Sequence, residues 1–294
     1  MKTYKWSLRK GGRKMRCPNC GQMRFVPFVL TADGRTLAGS EFGRCDREQS
    51  CGYFRYPDKE AKATVEVEPR PELPPAMFTF NACDTLTYDG NTLFEAYERL
   101  LGRDNLVEAF REYHIGTGCD GACVFPQFDG TFLRTAKAIQ YGKDGHRLKD
   151  MQGDTLPVQW YHRQRDVAEY MKTHQLRQCF FGQHLLSKHS DKMVCIVESE
   201  KTAVLMAAMD NSGTRVWIAC GGSQMLKGSI GLSCLEGREV VLVPDDGQFW
   251  NWKRTADAHG WGVFDVSPWA YGMPDGFDIW DISEFELKKS KPKL

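Results

Sequence analysis

Residues 193–209 read MVCIVESEKTAVLMAAM, and this stretch decides the fold of the C-terminal part of the chain. Met193–Val197 is a short apolar run typical of a buried strand, and Glu200–Met209 consists of helix-forming residues. Arg215–Cys220 and Glu239–Val243 are further apolar runs, and a second helical stretch is predicted between them. Continuous apolar strands that alternate with helices indicate a parallel sheet covered on both faces. We therefore predict an α/β domain here.

Acidic residues follow two of these predicted strands directly. Glu198 comes after the first strand and Glu200 opens the helix, while Asp245 and Asp246 follow a later strand. Open α/β sheets place their binding crevices at the carboxyl ends of the strands. Carboxylates gathered there repel one another unless a cation such as Mg²⁺ neutralises them, and a bound Mg²⁺ polarises phosphate oxygens. The alternative is that one acid caps the helix and another is solvated in a loop.

Four cysteines near the N-terminus have the spacing of a zinc site. Cys17 and Cys20 form a CxxC pair followed by glycine, and Cys45 and Cys51 form a wider second pair, also followed by glycine. Four thiolates complete the tetrahedron that structural zinc requires. The residues between the pairs predict a β-hairpin that turns at 33–34, so we expect a zinc ribbon stabilised by the metal. The alternative is that the wider pair consists of ordinary buried thiols.

The rest of the chain divides at a proline-rich segment. Residues 61–77 contain four prolines, which favour an extended linker over helix or strand. The predicted zinc ribbon therefore spans residues 1–60, and a middle α+β domain spans residues 78–190. In the middle domain, apolar spacing predicts helices over 92–113, and residues 122–141 predict a hairpin that turns at an Asp-Gly pair.

Composition and charge exclude several classes of protein. The 294 residues are 41% hydrophobic and 26% charged, which is typical of a folded protein. The sequence lacks an apolar run of the ~20 residues that a membrane span needs and a secretory signal, so we expect no membrane partner, a cytoplasmic location and reduced cysteines. Residues 1–60 hold 13 Lys or Arg against 6 Asp or Glu, whereas residues 191–294 hold 11 against 15. This asymmetry predicts a polyanion-binding front end beside a cation-binding back end, the alternative being a solubilising basic arm.

The C-terminal pattern resembles the Toprim domain of bacterial primases, topoisomerases and some nucleases. In that family a Glu follows the first strand, a Gly follows a middle strand and Asp-x-Asp follows the next strand. Here Glu198, Gly221 and Asp245 stand at the matching positions. The resemblance covers about residues 191–285 and implies a Toprim-like parallel sheet flanked by helices over the domain 191–294.

One position departs from the Toprim pattern. The second Asp of the family's Asp-x-Asp falls on Gly247, and Asp246 lies one residue early. We expect one of three outcomes: a metal site rebuilt with Asp246, a site completed by Asp278 and Asp281, or a site without chemistry.

The order of parts resembles bacterial and phage replicative primases, and also zinc-ribbon/Toprim proteins carried on bacterial mobile elements of the Bacteroides type. The patterns GRCDRE…CGY and VESEKTA carry the second likeness. The resemblance implies a primase-like middle domain, single-stranded DNA and ribonucleotides as ligands, a replicative helicase as partner, and Mg²⁺ or Mn²⁺ as catalytic cofactor beside structural Zn²⁺. Joining of ribonucleotides would then use Glu198, Asp245 and Asp246, with Lys137 and Lys201 steadying triphosphate charge and Asp278 as a further magnesium ligand.

Basic residues beside aromatic ones predict contacts with single-stranded DNA. In the ribbon, the phosphate contacts are predicted from the basic residues of the sequence. In the middle domain, the resemblance to primases implies the phosphate contacts; the alternative there is a solvated strand face. The predicted phosphate contacts are Arg13, Lys14, Arg16, Arg44, Arg47, Arg134, Arg147 and Lys149. Trp6 and Tyr53 are the aromatic side chains that we expect to contact bases.

Two other functions are compatible with this order of parts. A zinc-plus-Toprim loading factor of the recombination-mediator type would bind nucleic acid without turnover, and the altered Asp-x-Asp favours it. A metal-dependent Toprim nuclease would cleave the strand. We do not expect a topoisomerase, because 294 residues leave no room for the gate domains.

Overall fold

The computed structural model separates the chain into two compact units, residues 1–72 and residues 73–294, and the division falls within the predicted linker 61–77. The residues it describes are 4–11, 14–47, 50–57, 73–78, 88–222, 225–227 and 231–290. Arg13, one of the predicted phosphate contacts, and most of the predicted linker lie outside the described residues.

The N-terminal unit contains a four-stranded antiparallel sheet. Its strands are β1 (Trp6–Leu8), β2 (Phe25–Leu30), β3 (Gly43–Cys45) and β4 (Phe54–Arg55), in the order β1-β2-β3-β4. The predicted turn at 33–34 is confirmed, because the chain turns there between β2 and β3. The antiparallel β-ribbon that we expect in this part of the chain is therefore present among the described residues.

The small core of the ribbon explains one error of prediction. Trp6, Phe28, Ala38 and Phe42 pack together, and Trp6 is only 5% exposed. Since a ribbon of this size has few apolar side chains with which to build a core, its tryptophan is used for packing. The prediction that Trp6 contacts bases is therefore wrong.

The first half of the second unit is an α-helical pair followed by an antiparallel sheet. The elements are α1 (Thr92–Leu101), α2 (Arg103–Glu112), β5 (Gly116–Thr117), β6 (Cys123–Asp129), β7 (Phe132–Ile139) and β8 (Gln159–Trp160). The sheet order is β5-β6-β7-β8, all antiparallel. Asn91 caps α1, since its side chain accepts hydrogen bonds from the backbone N–H groups of Leu93 and Phe94. The predicted helices and hairpin are confirmed.

Two one-turn helices, α3 (Tyr170–Thr173) and α4 (Leu185–Lys188), lead into the second half, which is a parallel sheet. Its elements are β9 (Met193–Val197), α5 (Glu200–Met209), β10 (Arg215–Ala219), β11 (Val240–Leu242), α6 (Phe249–His259), β12 (Gly262–Val263) and α7 (Ile279–Ser290). The strand order is β10-β9-β11-β12, and every pair is parallel. The predicted parallel α/β arrangement of this segment is therefore confirmed.

The connection between β10 and β11 differs from prediction. In the part of it that the structure describes, two short 3₁₀ turns, Met225–Lys227 and Ser233–Leu235, stand where we expect a second helical stretch. Glycines at positions 231 and 237 account for the difference in the described part, because each glycine disfavours an α-helix by about 1 kcal/mol relative to alanine.

One hydrophobic core joins the two halves of the second unit. Tyr97 of α1 meets Trp280 of α7 edge to face at 5.2 Å, and both side chains are buried. The Tyr113 hydroxyl donates a hydrogen bond of 2.5 Å to the carbonyl of Trp217 on β10. The antiparallel and parallel sheets are therefore held by shared packing. No helix in the described part of the chain is long and apolar enough to cross a membrane.

Candidate functional site

The four ribbon cysteines converge on one point. Their sulfur atoms all lie within 4.8 Å of one another, with 3.8 Å between Cys17 and Cys51 and 3.9 Å between Cys20 and Cys45. A tetrahedral zinc ion with Zn–S bonds of ~2.3 Å needs sulfurs about 3.8 Å apart. The donor set and its spacing therefore fit a structural zinc ion, as the sequence predicts.

The surroundings of Cys51 favour its thiolate and lower the pKa of that thiol to about 6, chiefly through a hydrogen bond from Asn19, whereas burial raises the pKa of Cys45 to about 11. Asn19 donates a side-chain N–H to the Cys51 sulfur at 3.4 Å. Such hydrogen bonds orient metal ligands and stabilise their charge. Tyr53 packs edge to face on Phe25 at 5.9 Å beside the cluster, and its hydroxyl donates to the Glu41 carbonyl at 2.9 Å. The ring and hydroxyl of Tyr53, expected to contact bases, are thus both engaged within the ribbon.

The basic side chains of the ribbon fall into two groups. Lys14 forms an ion pair with Asp46, and an Arg44 nitrogen lies 3.9 Å from the same carboxyl group. Arg16 and Arg47 are exposed. The second group is therefore better placed to meet phosphates from solvent.

Exposed aromatic rings accompany these charges. Phe54 and Tyr56 are 57% and 49% exposed, and each packs edge to face on Phe28. Tyr56 was not among the residues that the sequence singled out. The signal that finds it is its spacing two residues from Phe54, because alternate residues of an extended segment share a face.

Acidic side chains meet at the carboxyl edge of the parallel sheet. Glu198 follows β9 directly, and Asp245 lies three residues beyond the end of β11. The loop before α7 and the first turn of that helix bring Asp278 and Asp281 to the same edge, since the backbone N–H of Asp246 donates to the Phe277 carbonyl at 2.8 Å.

Asp245 is half-buried among these carboxyl groups. Burial and the neighbouring carboxylates of Asp278, Glu198 and Asp281 raise the pKa of Asp245 to about 8. Lys201 is the cation that opposes this rise. Its ammonium also lies 3.4 Å from the Gly145 carbonyl. Lys201 thus reduces the repulsion without cancelling it.

Asp278 also has a structural task. Its carboxylate accepts backbone N–H bonds from Trp280 at 2.8 Å and Asp281 at 3.0 Å, and the Thr202 hydroxyl donates to it as well. It therefore caps α7, whereas Ser199 caps α5, the helix for which the sequence left open an acidic cap. Burial, followed by the carboxylate of Asp281, raises the pKa of Asp278.

The acidic edge fits a hydrated cation better than a closed cage. Among the described residues, the four cysteines form the only group of three or more metal-ligating side chains whose donor atoms come within 4.8 Å of one another. Mg²⁺ commonly keeps several waters and binds through one or two carboxylates. Glu198, Asp245 and Asp278 thus offer carboxylates for such an ion without enclosing it, whereas Asp246 is tied to this edge through its backbone N–H.

Lys137 lies inside the protein. Its ammonium is 2.5 Å from the Glu200 carboxylate and donates to the Gly221 carbonyl at 3.1 Å, and both charged side chains are almost fully buried. Gly221 has φ +79°, and a Cβ there would lie 2.9 Å from the Lys137 nitrogen. The pair therefore joins β7 to the start of α5 and requires glycine after β10.

The remaining predicted phosphate contacts differ in exposure. The guanidinium of Arg134 binds Asp129 at 2.7 Å and the Ala76 carbonyl at 3.2 Å, and its side chain is 11% exposed. Arg147 and Lys149 are exposed on the segment that follows β7. The structure thus presents Arg147 and Lys149 to solvent and holds Arg134 within the protein.

The zinc site generates the first prediction. Replacing Cys45 with serine removes a buried ligand, so the Cys45→Ser protein should lose most of its zinc and the folded ribbon, because metal binding supplies folding free energy in domains of this size. Metal analysis and amide NMR of the full chain measure both. The matched control is Cys119→Ser, which changes an exposed cysteine and should keep one zinc ion per chain. Full zinc retention by Cys45→Ser would contradict the assignment.

The acidic edge generates the second prediction. Because the folded-state pKa of Asp245 is about 8 and its ordinary value is 3.8, this group's contribution to stability should fall as pH rises from about 4 to about 8. In buffer free of Mg²⁺ and Mn²⁺, Asp245→Asn should lack that fall and exceed the unaltered protein at pH 8 by at least about 1.4 kcal/mol, the equivalent of one pKa unit. Denaturant unfolding between pH 4 and 9 measures it.

The control for this measurement is Asp275→Asn, which changes an exposed acid in the loop before α7. It should follow the unaltered protein across the pH range. Parallel pH profiles for Asp245→Asn and the unaltered protein would show that Asp245 is not crowded.

Two family models match the chain, one within the N-terminal unit and one within the second unit. Residues 4–66 match a family described as a putative zinc β-ribbon finger. No curated protein matches the chain. A crystal structure of the Aquifex aeolicus primase, comprising its zinc-binding and RNA polymerase domains, is similar at 15% identity and a TM-score of 0.32; the match covers 68% of this chain and half of that one, and it is too remote to support an argument. Residues 91–246, more than half of the chain, match the domain of unknown function DUF6371, and the chain therefore belongs to the DUF6371 family.

Proposed function

We propose that this protein is a primase-related nucleic-acid-binding protein. Its zinc ribbon holds single-stranded DNA, and the acidic edge of its parallel sheet supports metal-dependent joining of ribonucleotides. The order of a zinc ribbon, an antiparallel sheet and a parallel sheet supports the proposal. So does the match between Glu198, Gly221 and Asp245 and the Toprim pattern.

One observation carries the catalytic part of the proposal. Asp245 is held in a poorly solvated position beside three other carboxyl groups, and its pKa is raised to about 8 even with Lys201 nearby. An arrangement that disfavours ionised carboxylates is costly for a folded protein unless a ligand relieves it. A divalent cation is the ligand whose charge matches this need.

Glu198, Asp245 and Asp246 would hold Mg²⁺ or Mn²⁺, with Asp278 as a further ligand when it is not fully occupied in capping α7. When bound, the ion supplies charge that polarises phosphate oxygens and lowers the pKa of an attacking hydroxyl. Lys201, whose charge acts on Asp245, would meet a nucleotide phosphate. Lys137 would position the turn after β10, because its ammonium donates to the Gly221 carbonyl while it is paired with Glu200.

Surface charges would bind the nucleic acid. Arg16 and Arg47 of the ribbon are exposed, as are Arg147 and Lys149 of the second unit. Phosphate contacts of this kind give binding that weakens steeply with salt. The exposed rings of Phe54 and Tyr56 would stack on bases. The proposal includes the context that the resemblance implies, replication of bacterial, phage or mobile-element DNA with a replicative helicase as partner.

A second function, nucleic-acid binding without turnover, is favoured by a specific observation. The Asp278 carboxylate accepts hydrogen bonds from backbone N–H groups in the first turn of α7. In addition, no three carboxylates among the described residues come within 4.8 Å of one another. A loading factor needs the fold and the basic surface but no metal-assisted chemistry.

The third prediction separates these functions. The full chain is incubated with single-stranded template, four ribonucleotides and Mg²⁺ or Mn²⁺, and the products are resolved on a gel. Glu198→Gln and Asp245→Asn should each reduce primer synthesis about a hundredfold or more, because each removes charge from the metal site. The control Asp275→Asn changes an exposed acid nearby and should retain activity.

Each other outcome assigns a different function. Binding of template without products in any variant supports the loading factor and overturns nucleotidyl transfer. Degradation of the template that is lost in Glu198→Gln supports the nuclease. Absence of template binding overturns the proposal as a whole.

A further inference from the structure

Large aromatic rings are exposed on the segments that follow β11 and β12. Trp250 is 76% exposed, Phe264 37% and Trp269 43%. Phe264 and Trp269 stack on one another with ring centres 5.4 Å apart and planes inclined by 25°. Single exposed apolar residues are normal on a protein surface, but several large rings within 20 residues of sequence form a distinct feature. We call Trp250, Phe264 and Trp269 the aromatic shelf.

Topology places the aromatic shelf at the carboxyl end of the sheet. Strands β11 and β12 are parallel, Leu242 is paired with Val263, and the backbone N–H of Phe264 donates to the Leu242 carbonyl at 2.8 Å. Phe264 therefore follows the end of the edge strand. Helix α6 connects these two parallel strands, so its first turn, which carries Trp250, begins at the same end.

The acidic residues occupy the same end of the neighbouring strand. Asp245 follows β11, and its carbonyl accepts a hydrogen bond of 3.0 Å from the N–H of Gln248, two residues before Trp250. The aromatic shelf and the acidic edge are thus formed by consecutive loops of one sheet.

A positive charge accompanies the rings. Lys253 and Arg254 lie three and four residues after Trp250, so the three side chains share one face of α6. Lys253 is paired with Asp257 at 2.6 Å. The hydrogen bond of Arg254 goes to the neutral side chain of Asn251 at 2.8 Å, so this contact leaves the guanidinium charge in place. Arg254 is exposed and is positioned to meet a phosphate.

We propose that the aromatic shelf is a binding surface for a single-stranded nucleic acid, which stacks unpaired bases on Trp250 and on the Phe264–Trp269 pair while Arg254 contacts a phosphate. The inference rests on the proposed function and adds the place where the strand enters the acidic edge. The flat rings can stack on bases, and the neighbouring guanidinium group can contact the phosphate between them. Every base offers a face for stacking. Binding at the shelf is therefore tolerant of sequence and requires unpaired bases.

The fourth prediction tests the shelf with the full chain. The ligands are a fluorescent single-stranded DNA of mixed sequence and its duplex, and affinity is measured by anisotropy. Trp250→Ala and Trp269→Ala should each weaken single-strand binding about tenfold, which corresponds to the loss of one stacked base. Trp250→Phe and Trp269→Phe keep a stacking ring and should stay close to the unaltered protein. Duplex binding should not change in any of them.

Matched controls separate stacking from general effects. Phe285→Ala removes a ring of similar exposure (39%) on α7 and should leave affinity unchanged. Arg254→Gln should reduce the slope of log affinity against log salt by about 0.7, the value for one phosphate contact on a single strand. Thermal unfolding checks that the alanine variants are folded. If an alanine variant does not fold, the phenylalanine variant at the same position still tests the proposal, because it keeps a stacking ring and should bind like the unaltered protein.

The outcomes distinguish this inference from the proposed function. If the unaltered protein binds the single strand and the double variant Trp250→Ala/Trp269→Ala binds it equally well, the aromatic shelf is not the surface, while the proposed function stands. Equal weakening of single-strand and duplex binding also overturns base stacking. If the unaltered protein binds no single strand at all, both proposals fail.

Discussion

Electrostatic crowding at one end of the parallel sheet is the constraint on which the account of this protein depends. Parallel strands end at the same edge, so acids that follow β9 and β11 are brought together by the topology itself. Asp278 and Asp281 join them because helix α7 starts there. A sheet that gathered these carboxyl groups for packing alone would be disfavoured, because burial and, after it, the neighbouring carboxylates oppose ionisation of Asp245 and raise its pKa.

The antiparallel sheet is tied to this edge by a buried ion pair. Lys137 of β7 and Glu200 of α5 pair beneath Gly221, and Trp160 lies with its ring centre 5.0 Å from the Lys137 ammonium. Removing one partner from such a pair leaves an uncompensated buried charge and costs about 3–5 kcal/mol, although the pair itself adds little net stability. The ion pair instead positions the turn after β10, because the Lys137 ammonium also donates to the Gly221 carbonyl in that turn.

Local sequence patterns were sufficient for the zinc ligands, for β9 and α5, and for the acids at the strand ends, since each depends on residues close together in sequence. They were insufficient for Lys137, whose partner Glu200 lies 63 residues away. The alternation of β7 carried a signal, because Lys137 shares a face with Leu133 and Ile139, both of which are buried. Because lysine is usually exposed, its position on this buried face did not lead to a prediction of burial. Trp6 was misassigned for a related reason, since exposure is decided by the whole ribbon.

The most direct measurement of the central claim is anomalous diffraction from crystals of the unaltered protein soaked in Mn²⁺. Manganese replaces magnesium at oxygen-ligand sites, and its anomalous signal locates the ion independently of activity. The account predicts a peak at the carboxyl edge, within bonding distance of Asp245 and at least one of its acidic neighbours. Crystals saturated with Mn²⁺ that show no peak there, with Asp245 unchanged in position, would contradict it.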